Sequence, residues 1–344
     1  EQEGESLSWA VQEVLGQYFD FEDEIVDAVI DAEDVWPPDG DVPFFDNTSN
    51  YVESRIRLTH YYAQWDHLLD ELKHTRRFFS PTAQEFFGQL FDDIDALKFW
   101  DNEKNEFGSV ILELPEGTNL YRARTCTSHQ DLTDMFNNPL KLVGPPPKHL
   151  ARAGRMNAEG VVVFYGAMDV NTCLAEMRPV LGGDTAVITL GSTKPLRLLD
   201  FKRLESARGK SLSYFQPDFT LQVEKNAFLR RLHGLISQPI IPSRESDYLI
   251  TQTMAEYLAH VFHVPFDGIM FASVQQAGGT NIVLFPDAAV LVGDAFPLEY
   301  IDGSIKLFST QSIEYSHQER QVGIIDGEAH IYRDHGDDPD DDLI

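Results

Sequence analysis

Residues 161–179 read VVVFYGAMDVNTCLAEMRP, a short apolar run followed by the start of a helix. Asp169 is a candidate N-cap, because its carboxylate can accept a free backbone N–H of the first turn, and the helix is predicted to run to about Arg178. Polar residues at the junction of a strand and a helix often contact ligands. Tyr165 at the strand end and Glu176 in the helix are therefore candidate functional residues. The alternative is a core aromatic residue and a solvated helix residue.

Upstream, residues 120–124 read LYRAR, an alternation that places Leu120, Arg122 and Arg124 on one face of a predicted strand. Two guanidinium groups on one face can present paired donors to a phosphate in a cleft. They can equally be solvated side chains of an exposed strand. The glycine and polar residues at 154–157, GRMN, predict a turn before the apolar run.

Downstream, residues 267–285 read DGIMFASVQQAGGTNIVLF, which predicts two apolar strands joined by a turn. Ser273 lies where the first strand ends. Its hydroxyl can cap the turn or serve a site, but it lacks the Gly-x-Ser-x-Gly context of a hydrolase nucleophile. The chain also lacks GxGxxG after a strand and GxxxxGK[ST], so neither a Rossmann dinucleotide site nor a P-loop is predicted.

Short β-rich runs alternate with helical segments after Gly108, which indicates a mixed α+β domain. The predicted strands cover residues 110–114, 120–124, 161–166, 185–190, 196–201, 268–273 and 281–285. The predicted helices cover residues 170–178, about 220–235 and 245–262.

Three separated motifs resemble, in their order along the chain, those of the RES domain family, which includes the toxins of RES–Xre toxin–antitoxin pairs. The first is LYR at 120–122, the second is GRMN at 154–157 together with VFYGAMDVNTCLAEMRP at 163–179, and the third is the segment 267–285. The resemblance covers roughly residues 115–310 and includes the eleven-residue step from Tyr165 to Glu176.

This resemblance implies an ADP-ribosyltransferase-like fold that consumes NAD+ as substrate, splitting nicotinamide from ribose with water or inorganic phosphate as acceptor. The implied catalytic residues are Arg122, Tyr165, Glu176 and Ser273. The implied cofactor-binding residues are Arg122, Arg155, Asn157 and Tyr165, and no metal is implied. Two departures from the family pattern are Met156, where relatives usually carry an aromatic residue, and a long segment 205–244 that could cover or reshape the pocket.

Each implied role suits the chemistry of this reaction. Glu176 would stabilise the positive charge that develops at the ribose carbon. Arg122, helped by Arg155 or Arg124, would pair with the pyrophosphate or with a phosphate acceptor. The Tyr165 ring would face the charged pyridinium. Ser273 would offer its hydroxyl to the nicotinamide amide or to a ribose oxygen.

The first hundred residues read as helices. An acidic amphipathic helix is followed by a loop at 37–40, and a long helix is predicted from Thr48 to Phe79. Its candidate N-caps are Asn47, Thr48 and Ser49. Ser80 and Pro81 start another helix that runs to about Trp100.

The change from helical patterns to β-rich runs, together with the acidic end, predicts three regions. They are an all-α domain over residues 1–105, a RES domain over 106–333 and an acidic, disordered tail over 334–344. The amino-terminal region is similar to the HEPN-like segments that precede some RES domains, and Arg55 and His60 match the HEPN RxxxxH spacing. That spacing also arises by chance on helices, so a regulatory or dimerising domain is expected rather than a ribonuclease.

The chain carries 27 Lys and Arg against 56 Asp and Glu, a formal net charge of −29. Such a polyanion repels nucleic-acid backbones and anionic lipid surfaces, so no direct nucleic-acid or membrane partner is expected. Cys126 and Cys173 have no CxxC spacing, which favours the reducing cytoplasm. The expected partners are NAD+, inorganic phosphate, an antitoxin or regulatory protein, and further copies of the chain.

Three functional classes stay open on the sequence. The first is NAD+ degradation, by hydrolysis or phosphorolysis, in a bacterial toxin or defence effector. The second is transfer of ADP-ribose to a macromolecule. The third is an interaction module with an inactive pocket.

Overall fold

A computed structural model describes residues 4–16, 18, 20–32, 43–52, 59–102, 104–209, 212, 216–237, 248–286, 297–313, 321–325 and 328–331. The predicted loop at 37–40, Arg55 of the RxxxxH pattern and the acidic tail at 334–344 lie outside these residues. None of the described helices is long and apolar enough to cross a membrane.

The helices are α1 Leu7–Leu15, α2 Glu22–Asp31, α3 His60–His74, α4 Pro81–Phe91, α5 His129–Asn137, α6 Pro139–Val143, α7 Val170–Glu176, α8 Phe201–Glu205, α9 Phe219–Ser237 and α10 Leu249–Glu256. A π-helical turn, Tyr257–Val261, extends α10. The strands are β1 Glu5–Ser6, β2 Asn50–Tyr51, β3 Lys98–Asp101, β4 Glu106–Ser109, β5 Ile111–Leu114, β6 Asn119–Cys126, β7 Phe164–Ala167, β8 Asp184–Ser192, β9 Leu196–Asp200, β10 Ala207–Arg208, β11 Gly268–Ala272, β12 Thr280–Leu284, β13 Leu298–Tyr300, β14 Lys306–Ser309, β15 Val322–Ile325 and β16 Glu328–Ile331.

A nine-stranded sheet forms the centre of the fold, in the order β13-β8-β6-β7-β12-β11-β9-β5, with β14 also paired to β8. Only the β11–β9 pair is parallel among these described strands. The predicted α+β class is confirmed, and each of the seven predicted strands overlaps one strand of this sheet.

Each face of the sheet has its own apolar core, because side chains alternate along a strand. Ile269 and Val283 belong to a cluster with α3, α4, α9 and α10. Met270 and Ile282 belong to a second cluster, with Met135 of α5 and Val143 of α6. The strands at the centre are therefore buried on both sides and hold their ends in fixed positions.

The predicted helix from Thr48 to Phe79 is wrong at both ends, since α3 covers only His60–His74. The carboxylate of Asp46 accepts hydrogen bonds from the backbone N–H groups of Thr48 and Ser49, at 2.6 and 2.7 Å. This local turn competes with a helix start, and none of the three candidate N-caps is used. The chain after the turn pairs as β2 with β1.

The helix predicted from Ser80 begins as expected, because the Ser80 hydroxyl accepts the Ala83 N–H at 3.0 Å. It ends at Phe91, however, and residues 98–101 form β3 instead of a helix. This segment pairs with β4 and β10, and the Arg203 guanidinium lies over the Phe99 ring at 4.9 Å. These tertiary contacts stabilise a strand where the local sequence pattern predicts a helix.

The predicted domain boundary at residue 105 lies in the turn between β3 and β4. Tyr61 and Trp65 of α3 and Phe86 of α4 surround Phe228 of α9, with ring centroids 5.8 to 6.2 Å apart. Glu224 of α9 also accepts the N–H of His60 at the start of α3, at 3.1 Å. The division into domains stays a prediction, and the amino-terminal helices share a core with the sheet.

Candidate active site

A cavity of about 890 Å³ is lined by β6, β7, β11 and β12, by helix α7 and by the connection 141–155. Arg122, Arg155, Tyr165 and Glu176, four of the residues predicted from the sequence, line it directly. Such a volume is typical of small-molecule and cofactor sites.

The charge of the cavity opposes the charge of the chain. Glu176 is the only acidic residue among the described residues that line it. The basic ones are Arg122, Arg124, Lys141, Arg152, Arg155 and Arg178. In a chain with a net charge of −29, this local excess of cations favours binding of an anionic ligand.

Glu176 is the last residue of α7, a helix capped by Asp169, whose carboxylate accepts the Thr172 N–H at 2.9 Å as predicted. Its Oε1 atom accepts hydrogen bonds from Ser273 Oγ at 2.6 Å and from Asn281 Nδ2 at 2.7 Å. Its Oε2 atom has no hydrogen-bond partner among the described residues. The carboxylate is thus fixed through one oxygen, and the other remains available to a ligand.

Ser273 uses all its hydrogen-bonding capacity within the protein. Its hydroxyl donates to Glu176 Oε1 and accepts the backbone N–H groups of Gln275 and Gln276, both at 3.1 Å. A hydroxyl has one donor and two lone pairs. This geometry favours a role for Ser273 in holding Glu176 over the predicted direct contact with nicotinamide or ribose.

Asn281 is a site residue that the sequence reasoning missed. It lies on β12, is 6% exposed and donates to Glu176 through Nδ2, while its Oδ1 has no partner among the described residues. A buried amide in an otherwise apolar strand needs hydrogen-bond partners. The only signal in the sequence was this polar residue at the start of the apolar run NIVLF.

Close packing brings the turn after Ser273 against α7. A Cβ atom at Gly279 would lie 2.2 Å from Thr172 Oγ1, so this position requires glycine. Thr172 itself is fully buried and donates to Asp169 through its hydroxyl at 2.6 Å. The contact sets the distance between α7 and β12, and hence between Glu176 and Asn281.

Tyr165 is fixed by the predicted turn at 154–157. Its hydroxyl donates to Asn157 Oδ1 and accepts the Met156 N–H, both at 2.9 Å. Burial raises the pKa of Tyr165 to about 12, so the phenol stays neutral at physiological pH. Asn157 does not line the cavity, and Met156 is buried in the core. The cofactor contact predicted for Asn157 stays a prediction.

The turn also requires glycine at its first position. A Cβ atom on Gly154 would lie 2.7 Å from Asn157 Oδ1 and 2.8 Å from the Tyr165 hydroxyl. Gln252 of α10 supports the same turn by donating to the carbonyl oxygens of Gly154 and Asn157 at 2.8 and 2.9 Å.

Gly154→Ala is therefore expected to break the Tyr165–Asn157 contact and to lower the melting temperature by several degrees. Gly234→Ala is the matched control, because nothing lies within 4 Å of a Cβ at that position of α9 and alanine favours a helix. Differential scanning calorimetry of both variants checks the prediction. Equal melting temperatures for the two variants would contradict it.

Arg122 is a partly buried cation on β6. Its Nε donates to the Val143 carbonyl at 2.9 Å and its Nη1 to the Tyr165 carbonyl at 2.5 Å. Desolvation lowers the pKa of Arg122 to about 10, which still leaves the group charged at neutral pH. None of the ion pairs in the described part of the chain includes Arg122, and a partly desolvated cation without a carboxylate favours binding of an anion.

The other two predicted arginines differ in their surroundings. Arg155 donates through Nη1 to the carbonyl of Ile236 near the end of α9, and burial lowers its pKa. Arg124 is exposed and donates to the Leu142 carbonyl at 2.6 Å. The end of α9, which belongs to the long segment 205–244, therefore contacts the cavity through Arg155, and Ser237 of the same helix lines it.

A family model described as the RES domain matches residues 119–301, more than half of the chain. The chain belongs to the RES domain family. No curated protein and no solved structure is significantly similar to it. The RES family is associated with NAD-utilising enzymes.

The RES match includes every candidate site residue predicted from the sequence. Within it the structure brings Glu176, Ser273 and Asn281 into direct contact, and Tyr165 into contact with Asn157. The HEPN-like character of the helices that precede the RES domain stays a prediction. The described residues contain no group of three or more His, Cys, Asp or Glu side chains that could hold a metal ion.

Proposed function

We propose that this RES domain cleaves the bond between nicotinamide and ribose in NAD+, with water or inorganic phosphate as acceptor. The observation that carries the proposal is the Glu176 carboxylate, which lies in a cavity rich in cations, is held through Oε1 and has no partner at Oε2 among the described residues. The association of RES domains with NAD-utilising enzymes supports the same conclusion.

The bond to nicotinamide breaks with its electron pair, so the pyridinium leaves as neutral nicotinamide and positive charge develops at the ribose carbon. A carboxylate at that carbon stabilises the transition state more than the ground state, because the charge there is larger. An oxygen of water or phosphate then forms the new bond. With water, the released proton passes to solvent, directly or through Oε2 of Glu176.

Arg122 is proposed to bind the pyrophosphate of NAD+ or the phosphate acceptor. A partly buried guanidinium group with no ion-pair partner among the described residues is stabilised by a bound anion, and its planar donors match two phosphate oxygens. Arg155 lies in the same cavity and adds a second positive charge.

Tyr165 is proposed to place its ring against the charged pyridinium, an attraction of about 0.5 to 2 kcal/mol. Its two hydrogen bonds fix the ring before the ligand arrives, so little conformational entropy is lost on binding. Ser273 and Asn281 then act by positioning Glu176.

Incubation of the purified full chain with NAD+, with and without phosphate, tests the proposal through its products. Nicotinamide with ADP-ribose indicates hydrolysis, and nicotinamide with ADP-ribose 1″-phosphate indicates phosphorolysis. A labelled macromolecule would instead indicate ADP-ribosyl transfer. Absence of nicotinamide release under all these conditions would contradict the proposal.

An activity that depletes NAD+ suits a toxin or defence effector whose action a partner protein restrains. We propose such a role for this chain, with an antitoxin or regulator as that partner. Measurement of the cellular NAD+ pool after induced expression, beside a Glu176→Gln control, tests it.

A further inference from the structure

The end of β11 lacks a strand neighbour on one side. Strand β9 pairs in parallel with Gly268–Met270 and ends at Asp200, where α8 begins. The Ser273 N–H donates to the Gly279 carbonyl at 3.0 Å, toward β12. Since successive backbone N–H groups of a strand point to opposite sides, the Ala272 N–H points away from β12. It faces the edge of β11 that extends beyond the end of β9.

His233 of α9 supplies the missing acceptor. Its Nε2 atom accepts the Ala272 N–H at 3.1 Å, and the residue is only 9% exposed. Its Nδ1 atom lies 3.4 Å from Oε2 of Glu205. An imidazole that accepts at Nε2 must be neutral with its proton on Nδ1, and the Glu205 carboxylate favours that tautomer.

This contact lies one residue from the proposed catalytic machinery. Ala272 directly precedes Ser273, whose hydroxyl holds Oε1 of Glu176 at 2.6 Å. We propose that His233 is a positioning residue of the active site, which holds the end of β11 through its Nε2 lone pair and thereby fixes the Ser273–Glu176 contact. This inference rests on the proposed NAD+ cleavage for its effect on turnover.

Two substitutions separate positioning from simple packing. His233→Gln can place a carbonyl oxygen near the Nε2 position and does not titrate, whereas His233→Leu fills the space without an acceptor. We expect His233→Leu to lower kcat roughly 10- to 100-fold with a nearly unchanged KM for NAD+, because small displacements of a catalytic group have effects of that size. His233→Gln should retain most of the activity, because its amide oxygen restores an acceptor for the Ala272 N–H.

His263→Gln is the matched control, since this histidine is a surface residue paired with Asp95 at 3.3 Å. It should keep the wild-type kcat. A His233→Leu variant with wild-type kcat, or a His233→Gln variant that loses as much activity as His233→Leu, would overturn the proposal.

Hydrogen exchange tests the contact without turnover. The Ala272 amide should exchange slowly in the wild type and in His233→Gln, and at least tenfold faster in His233→Leu. Equal protection in all three proteins overturns the positioning role even if NAD+ is cleaved. Faster exchange in His233→Leu alone supports the contact even if the wild type cleaves no NAD+, and only the proposed function then fails.

Discussion

Glu176→Gln is expected to lower kcat for NAD+ cleavage by at least ~10²-fold while the protein stays folded. Glutamine keeps the size of the side chain, and its carbonyl oxygen can still accept from Ser273 and Asn281. What it removes is the negative charge of the second oxygen, which the proposal places at the developing positive charge on ribose. The measurement is the rate of nicotinamide release at saturating NAD+.

Glu159→Gln is the control for this substitution, because it removes the same charge from an exposed position that does not line the cavity. It should leave the rate unchanged. Circular dichroism and a melting curve establish that the Glu176 variant is folded. If a folded Glu176→Gln protein releases nicotinamide at the wild-type rate, Glu176 is not the catalytic carboxylate.

Arg122→Ala is expected to lower kcat/KM for NAD+ by at least ~10²-fold, because the cavity loses the partly buried cation that no described carboxylate pairs with. The substitution also leaves the carbonyl oxygens of Val143 and Tyr165 without this donor, so Arg122→Ala is expected to be less stable than the wild type. Arg122→Lys keeps the charge but loses the planar pair of donors. We expect it to fold and to show an intermediate loss, mainly through a raised KM.

Arg208→Ala, at an exposed position of β10 outside the cavity, is the control for loss of a guanidinium group. Its kcat/KM should match the wild type. The kinetics are best followed at two salt concentrations, since binding of a phosphate by a cation weakens as salt rises. Wild-type kcat/KM in both Arg122 variants would exclude this residue from ligand binding.

The sequence predicts the strands and the site motifs well, because both are local patterns. The apolar run before Asp169 and the alternation around Arg122 each depend on a few neighbouring residues. The Asp169 cap and the turn at Gly154 were predicted for the same reason, and the structure places both as expected.

The features that the sequence did not reveal depend on contacts between distant segments. Asn281 and Glu176 are far apart in sequence, and no local pattern shows that the amide donates to the carboxylate. The local sequence of β3 predicts a helix, and it is the pairing with the distant strand β10 that makes it a strand. The Ser273 hydroxyl likewise accepts its two hydrogen bonds only because of the conformation of the turn that follows it, which the sequence pattern does not specify.

The packing of α3 and α4 on Phe228 limits where the chain can be truncated without exposing its core. Phe228 is fully buried against the rings of Tyr61, Trp65 and Phe86, although the latter three precede the RES match. A truncated gene product that starts near residue 106 would expose this aromatic surface to water and would tend to aggregate. Enzymology on this chain therefore calls for the intact polypeptide.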